Sequence, residues 1–307
     1  MRALVIGAGG YVGRPLVDAL RPHVETIAAG RRVGPGVDEQ LDLRDRDQVT
    51  NVLRRVRPDV IVATAYLLDR ACDADPLRAV ETNVLGMANL FEAAHDLGVR
   101  RVVFASSGAV HGGRDGVADR PIAESEECHP ATLYGRMKVF DEWLASHYNE
   151  KFGTEIVSFR ISGPYGWSKP FERFGGEMPY DVVVAAASQG QRVELPWSAE
   201  ARFRFIHVAD AGASFVPLVL ADSLEHRVYN APGFSVSVGE LVDAASAVAP
   251  FDCTFDEPGR PIKFVWWDTS RYEAEFGFRP RPLAEWLGEE IAARRAAVDP
   301  ASTKPLR

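Results

Sequence analysis

Ala3-Leu4-Val5-Ile6-Gly7-Ala8-Gly9-Gly10-Tyr11-Val12-Gly13-Arg14-Pro15-Leu16 decides the fold of this chain. Apolar residues in an unbroken short run, without alternation, read as a strand covered on both faces, the kind found in parallel sheets. Helical patterning takes over at Pro15–Leu20. Gly7, Gly10 and Gly13 fall between the two, where glycines permit a tight turn, close backbone approach to a pyrophosphate and close helix–sheet packing. A helix that starts there offers its free N–H groups to phosphates. The strand before and the helix after turn a weak glycine pattern into a dinucleotide signal.

The alternation continues outward. Thr26–Ala29, Val60–Ala63, Val102–Ala105 and Glu155–Phe159 read as strands. Asp45–Arg57 reads as a helix, as does Pro76–Leu97, with Val80, Val84, Met87 and Phe91 on one stripe and Gly98 as its stop. Phe140, Trp143, Leu144 and Tyr148 mark a further helix. Strands separated by helices of this length imply βαβ units, so the expected fold class is α/β, a Rossmann-type doubly wound parallel sheet. We expect this domain over residues 1–165, with returning segments near 203–232, and a smaller C-terminal α/β substrate-binding domain mainly within 166–307. After Gly163-Pro164-Tyr165-Gly166 the rhythm breaks, and residues 166–180 read as a loop over a site. Regular structure returns at Val182–Ala187, Phe205–Val208 and Val216–Leu220, then as an amphipathic helix near Leu283–Ala296 before a frayed tail, Ala301–Arg307.

Composition narrows the function. With 307 residues, 46% apolar and 25% charged, the chain is long and apolar enough for a globular core. Its 35 Lys plus Arg against 43 Asp plus Glu leave a net charge of −8, the wrong sign for nucleic acid or an anionic membrane. No apolar run is long enough to span a bilayer, and a strand begins where a signal peptide would need its apolar core, so we expect a cytoplasmic protein. Cys72, Cys128 and Cys253 are widely spaced and odd in number, which reads as three free thiols. The 7 histidines are scattered, and no metal is expected.

Tyr134 and Lys138 carry the sharpest chemical signal. Four residues apart on a helix, they share a face and can reach one ligand. With 8 tyrosines and 5 lysines in the chain, chance supplies well under one such pair. A free tyrosine, with a pKa of about 10, is a poor base at neutral pH. A neighbouring ammonium stabilises the phenolate and lets the pair move a proton at a carbinol. Ser106-Ser107-Gly108 follows a strand at the sheet edge where such folds bind ligands, and a hydroxyl there can polarise a carbonyl oxygen. At the end of the second strand stand Gly30-Arg31-Arg32 rather than the acid that accepts ribose hydroxyls. A guanidinium suits a 2′-phosphate, so NADP(H) is favoured, with NAD(H) still possible. Asp42, ahead of Leu43, either meets the adenine or caps the helix that starts near Asp45.

Together these residues resemble the extended short-chain dehydrogenases/reductases, the NAD(P)-dependent epimerase/dehydratase group. The likeness runs through Gly7, Gly10 and Gly13, Asp42-Leu43, Asn83-Val84-Leu85-Gly86, Ser106-Ser107, Tyr134-x-x-x-Lys138, Arg160 with Gly163-Pro164-Tyr165-Gly166, and Phe205-Ile206-His207-Val208-Ala209-Asp210. It implies that Tyr134 is the catalytic acid/base and that Lys138 holds the nicotinamide ribose. Ser107 would orient the reacting oxygen, and Asn83 would support the cofactor side. It adds Tyr11, Val12, Ala63, Ala65 and Ser162 to the implied cofactor contacts. Its usual homodimer would use the helices around 76–97 and 134–152.

Departures from that pattern narrow the reaction. Related 4,6-dehydratases carry an Asp-Glu pair where this chain has Gly108 and Ala109, and related decarboxylases keep a glutamate in the same loop. Elimination and decarboxylation are therefore disfavoured. Gly163 replaces the asparagine that contacts the substrate diphosphate in many 4-epimerases, Phe203 replaces a motif arginine between Arg202 and Arg204, and His111 replaces a tyrosine. What remains is hydride transfer at a secondary alcohol or ketone of a sugar or sugar derivative, as a dehydrogenase/reductase. The alternatives are an NAD-dependent nucleotide-sugar 4-epimerase and a non-catalytic NADP(H) sensor. Ser107, His111, Trp197, Arg202, Arg204 and Arg271 are the expected substrate contacts.

Overall fold

The computed structural model describes residues 1–112, 120–166, 178–260, 262 and 266–298. The first half runs β1 (Arg2–Ile6), α1 (Gly13–Leu20), β2 (Glu25–Gly30), β3 (Glu39–Gln40), α2 (Arg46–Val56), β4 (Val60–Ala63), α3 (Asp69–Ala74), α4 (Pro76–Ala79), a π-turn (Val80–Leu85), α5 (Gly86–Asp96), β5 (Arg101–Ser107), α6 (Leu133–Phe152) and β6 (Glu155–Ile161). The second half runs β7 (Pro164–Tyr165), α7 (Pro179–Gln189), β8 (Val193–Leu195), β9 (Arg202–His207), α8 (Val208–Ala213), α9 (Val216–Leu220), β10 (Val228–Asn230), β11 (Phe234–Ser237), α10 (Val238–Val248), β12 (Cys253–Phe255), α11 (Ser270–Phe276) and α12 (Leu283–Val298).

The chain forms two compact units. The first takes Met1–Pro164, Val208–Pro232 and Val265–Arg279. Its seven strands, in the order β10-β6-β5-β4-β1-β2-β3, are parallel throughout. The expected doubly wound sheet is therefore present, and the order reverses beside β1, where such sheets open a crevice for ligands. Each of β1, β4 and β5 is buried along most or all of its length, as unalternated apolar runs require. Helices α2 and α5 close one face, with Val49, Val52, Leu53, Met87, Leu90 and Phe91 in the same core as Leu4, Ile61 and Phe104. On α1, Gly212 of α8 is indispensable, because a Cβ there would stand 2.5 Å from the Leu16 backbone nitrogen.

The second unit takes Tyr165–His207, Gly233–Phe264 and Pro280–Arg307. In it β9 pairs antiparallel with β11, β8 pairs parallel with β12, and α7, α10 and α12 cover a core built on Phe203, Phe205, Leu241 and Leu287. The segments Val182–Ala187 and Val216–Leu220 are helical, whereas Phe205–His207 ends a strand. Most of the loop expected over 166–180 and the whole tail at 301–307 lie outside the described residues.

One helix reading needs correction. The stripe over Pro76–Leu97 is one helical run but not one α-helix, because Val80–Leu85 winds as a π-turn. The helix marked by Phe140, Trp143, Leu144 and Tyr148 is present at 133–152, and its buried face is Tyr134, Met137, Lys138, Asp141, Ala145 and Tyr148, while Phe140 and Trp143 face solvent.

Candidate active site

The glycine loop sits at the C-terminal end of β1, and its geometry is that of a dinucleotide cradle. Gly7 adopts φ +89°, and its N–H and that of Ala8 both reach Ala29 O. A Cβ on Gly13 would stand 2.1 Å from Gly7 O, so only glycine lets the helix start this close to the turn. The N-terminus of α1 has neither a side-chain cap nor an acidic residue in its first turn. The positive end of its dipole is thus left for an anion. A Cβ on Gly7 would also meet the Ala65 nitrogen at 2.7 Å, which packs this loop against the one leaving β4. These residues fit a dinucleotide pyrophosphate.

Around the cradle, Arg31 and Arg32 are exposed just past β2 and make no salt bridge among the described residues. Asp38 turns inward instead, its carboxylate accepting from Ala28 N at 2.9 Å. Asp42 is gripped by Arg44, whose Nη2 lies 2.6 Å from its carboxylate and holds its pKa below the ordinary aspartate value. The helix-cap alternative for Asp42 is overturned: Asp45 caps α2, accepting from Gln48 N at 2.9 Å. Leu43 is buried. Ala63 ends β4 in the core, and Ser162 follows β6. Asn83 lies in the π-turn, fully buried, and clamps the chain after β4: its Oδ1 accepts from Leu67 N at 2.8 Å and its Nδ2 donates to Leu67 O at 2.9 Å. Such turns recur at functional sites because they re-aim a side chain without ending the helix.

Ser107, Tyr134 and Lys138 come together at the end of β5. Thr132 caps α6, its Oγ1 accepting from Gly135 N at 3.1 Å, which sets Tyr134 in the first turn and Lys138 one turn on. Gly135 is required for this approach, since a Cβ would meet Ala109 O at 2.5 Å. The Ser107 side chain lies beside Tyr134. Burial pushes the Tyr134 pKa up, the neighbouring Ser107 side chain lowers it, and the Asp69 carboxylate adds to the rise. Ser107 Oγ also accepts from Ala109 N at 3.1 Å, starting the short turn Gly108–His111. Lys138 is buried, donates through Nζ to Ala105 O, and has its pKa driven well down by that burial.

The walls around this trio were only partly legible. Gly108 lies under Trp267, whose Cζ2 would be 2.5 Å from a Cβ there, so no acidic side chain fits at 108. Behind the trio, Arg160 forms a fork with Glu142 and bonds His111 Nε2 at 3.0 Å. His111 is thereby placed in a buried polar network. Arg271 donates to Val228 O and lies 3.6 Å from Glu124. Trp197 is a core residue of the second unit. Arg202 there donates to Ser235 O, and Arg204, nearly buried, to Ser235 Oγ. Among the described residues Glu225, His226 and Glu275 bring ligand atoms within 4.8 Å, a grouping that sequence spacing did not reveal, but Tyr229 and the Glu225 N–H already occupy the Glu275 carboxylate. Sequence reasoning also missed Glu142 and Tyr66. Glu142, four residues after Lys138, could have been found by helical spacing.

The strand order and the glycine cradle define the class, an NAD(P)-dependent enzyme of the extended short-chain dehydrogenase/reductase type. Residues 3–231 match the model of the NAD dependent epimerase/dehydratase family, to which the chain belongs. An L-arabinose 1-dehydrogenase (NAD(P)(+)) of Haloferax volcanii is 33% identical over 196 residues, covering 60% of this chain and 74% of that one. A UDP-glucose 4-epimerase of Streptococcus mutans is 29% identical over 212 residues, covering 64% of this chain and 62% of its own. The solved L-threonine dehydrogenase of Clostridium difficile matches with a TM-score of 0.82 and 26% identity, over 96% of this chain and 98% of that one. No helix among the described residues is long and apolar enough to cross a membrane.

Proposed function

We propose that the protein is an NADP(H)-preferring dehydrogenase/reductase acting at a secondary alcohol or ketone of a sugar or sugar derivative. The observation that carries this is the placement of Tyr134 beside Ser107 and a buried Lys138, with Gly108 and Ala109 where elimination would need acids. A bound nicotinamide supplies or accepts the hydride. Tyr134 gives a proton to the substrate oxygen in reduction and removes it in oxidation, Ser107 donates a hydrogen bond to that oxygen, and the Lys138 ammonium favours the phenolate. The loop from Gly7 through Tyr11 and Val12 to Gly13 holds the pyrophosphate, with Ala63, Ala65, Asn83 and Ser162 on the nicotinamide side. Arg31 takes the 2′-phosphate, with Arg32 beside it. The second unit serves as the substrate-binding domain, with Arg202 and Arg204 as its candidates, while Trp197, expected there, packs in its core. Three free cysteines fit a cytoplasmic setting.

The deciding experiment identifies any dinucleotide released by denaturing the purified protein, then titrates the folded protein with NAD and NADP by calorimetry. An empty site that binds NADP at least about tenfold tighter, ~1.4 kcal/mol, supports the proposal. Near-stoichiometric NAD retained through purification would instead identify a 4-epimerase, the reading favoured by the likeness to the streptococcal enzyme. The Arg31→Ser variant is expected to lose about tenfold in NADP affinity and little in NAD affinity, since a charge-assisted hydrogen bond is worth ~1.5–3 kcal/mol. Equal losses for both cofactors would place Arg31 away from the 2′-phosphate.

We further propose a homodimer. Leu77, Val80 and Leu85 on the 76–96 run, and Phe140, Trp143 and Phe152 on α6, are large apolar side chains left exposed on neighbouring helices. A patch of this kind marks an interface, and two helices per copy would suit a second copy of the chain. Analytical ultracentrifugation should show a dimer that Trp143→Glu splits into monomers. A wild-type monomer at micromolar concentration would end the idea.

A further inference from the structure

Neither the glycine loop nor the catalytic trio draws attention to Tyr66, yet its side chain meets Lys138 directly. It lies just beyond β4, and its ring centroid is 2.9 Å from Lys138 Nζ. The same ring stands edge-on to Tyr134, with centroids 6.0 Å apart and planes at 87°. Its hydroxyl donates to Asn83 O at 3.2 Å, so the Asn83 clamp that orders this loop also fixes the ring. On its other flank Lys138 Nζ donates to Ala105 O.

We propose that Tyr66 is a positioning residue, an aromatic seat that, with Ala105 O, holds the Lys138 ammonium beside Tyr134. This rests on the proton-transfer role given to Tyr134 and Lys138 above. An ammonium taken out of water must be compensated, and the face of an aromatic ring does so through its quadrupole, more strongly when the site is dry. The groups facing Lys138 are Glu142 on its own helix, Cys72 on α3, and Tyr66 and Tyr134. Burial lowers the Lys138 pKa, while Glu142 and Cys72 raise it. The Tyr66 ring works in the same direction as Glu142, in direct contact and without itself carrying charge. Losing the ring would let Lys138 shed its proton more readily, and the Tyr134 phenolate would lose a neighbouring cation. The alkaline limb of activity then moves down and the acid limb for alcohol oxidation moves up, narrowing the working pH window from both sides.

Side-chain 15N NMR of the cofactor-free protein tests this without a substrate, because only 5 lysines contribute signals. In wild type the Lys138 side chain should be shifted upfield of the others by the ring current. Tyr66→Phe should keep that shift, since it keeps the ring. Tyr66→Leu should abolish it and lower the pH at which Lys138 titrates by about one unit, ~1.4 kcal/mol. Once a substrate is known, the acid limb in Tyr66→Leu should rise by a similar amount while Tyr66→Phe stays near wild type. A wild-type Lys138 signal without ring-current shift, or a Tyr66→Leu protein whose Lys138 titrates as in wild type, overturns the proposal. Should Tyr66→Leu fail to fold, the wild-type and Tyr66→Phe spectra still decide. A failed turnover assay would count against the proposed function and leave the spectrum unaffected, so the two ideas fail separately.

Discussion

Tyr134→Phe is expected to lower turnover by about 10³-fold, with folding and dinucleotide binding intact, because positioned proton transfer contributes ~10²–10⁴-fold. The ring remains to pack against Met137 and the edge of Tyr66, so the small buried cluster beside α3 keeps its shape. What disappears is the proton. Burial, and then the Asp69 field, hold the Tyr134 phenol protonated well past neutral pH, with the Ser107 side chain pulling the other way. The free enzyme thus starts with a proton to give to a developing alkoxide, the form that ketone reduction uses directly. In the proposed mechanism oxidation would use the phenolate, which the Lys138 ammonium, with a nicotinamide bound, would favour. Single-turnover hydride transfer, followed by the absorbance of the reduced nicotinamide, measures the loss. Unchanged turnover in Tyr134→Phe would remove this residue from the chemistry. A protein that shows no turnover in wild type, yet binds NADP(H) and keeps its cellular role as Tyr134→Phe, would be a sensor.

Legibility followed the kind of force at work. Ala3–Ile6 and Val60–Ala63 could be read because a central parallel strand is apolar on both faces, leaving no competing pattern. Gly10 and Gly13 could be read because the contact that demands glycine, with Gly7 O, comes from the adjoining turn, close in sequence. The face of α6 could not. Its apolar residues Phe140 and Trp143 point outward, whereas Lys138 and Asp141 are buried. A helix that carries a lysine into the interior and exposes an apolar surface inverts the rule that places apolar residues inside. The π-turn was hidden for another reason, since Val80, Val84 and Met87 keep a helical stripe whichever hydrogen-bond step is used. Helix α10 was overlooked despite a local signal, the capping box of Ser237 and Glu240. The short strands β8 and β12 carry no such signal, because three residues acquire strand geometry only from a partner far along the chain. Tyr66 and Trp267 act through rings whose targets, Lys138 and Gly108, are more than 70 residues away in sequence.

Glu142→Ala should be the most destabilising single change behind the site, costing about 3–5 kcal/mol, because it strands a buried charge. Glu142 is 9% and Arg160 3% exposed in their side chains, so water cannot replace the lost carboxylate. The carboxylate accepts from Arg160 Nε at 2.9 Å and Nη2 at 2.7 Å, and from Ser106 Oγ at 2.5 Å, which leaves three donors unsatisfied when it is removed. These contacts tie α6 to β5 and β6 directly behind Ser107. Urea denaturation would report the cost as a lower midpoint. Adding Arg160→Met should recover most of it, since replacing a buried ion pair by apolar residues of similar volume is often neutral. A Glu142→Ala loss below about 1 kcal/mol would mean that the fork contributes no more than an exposed pair. The double variant also separates two roles of Glu142. Its field raises the Lys138 pKa, and that support is not restored by Met at position 160. A double variant that regains stability while Lys138 still titrates lower than in wild type would show that Glu142 serves the ammonium as well as the fold.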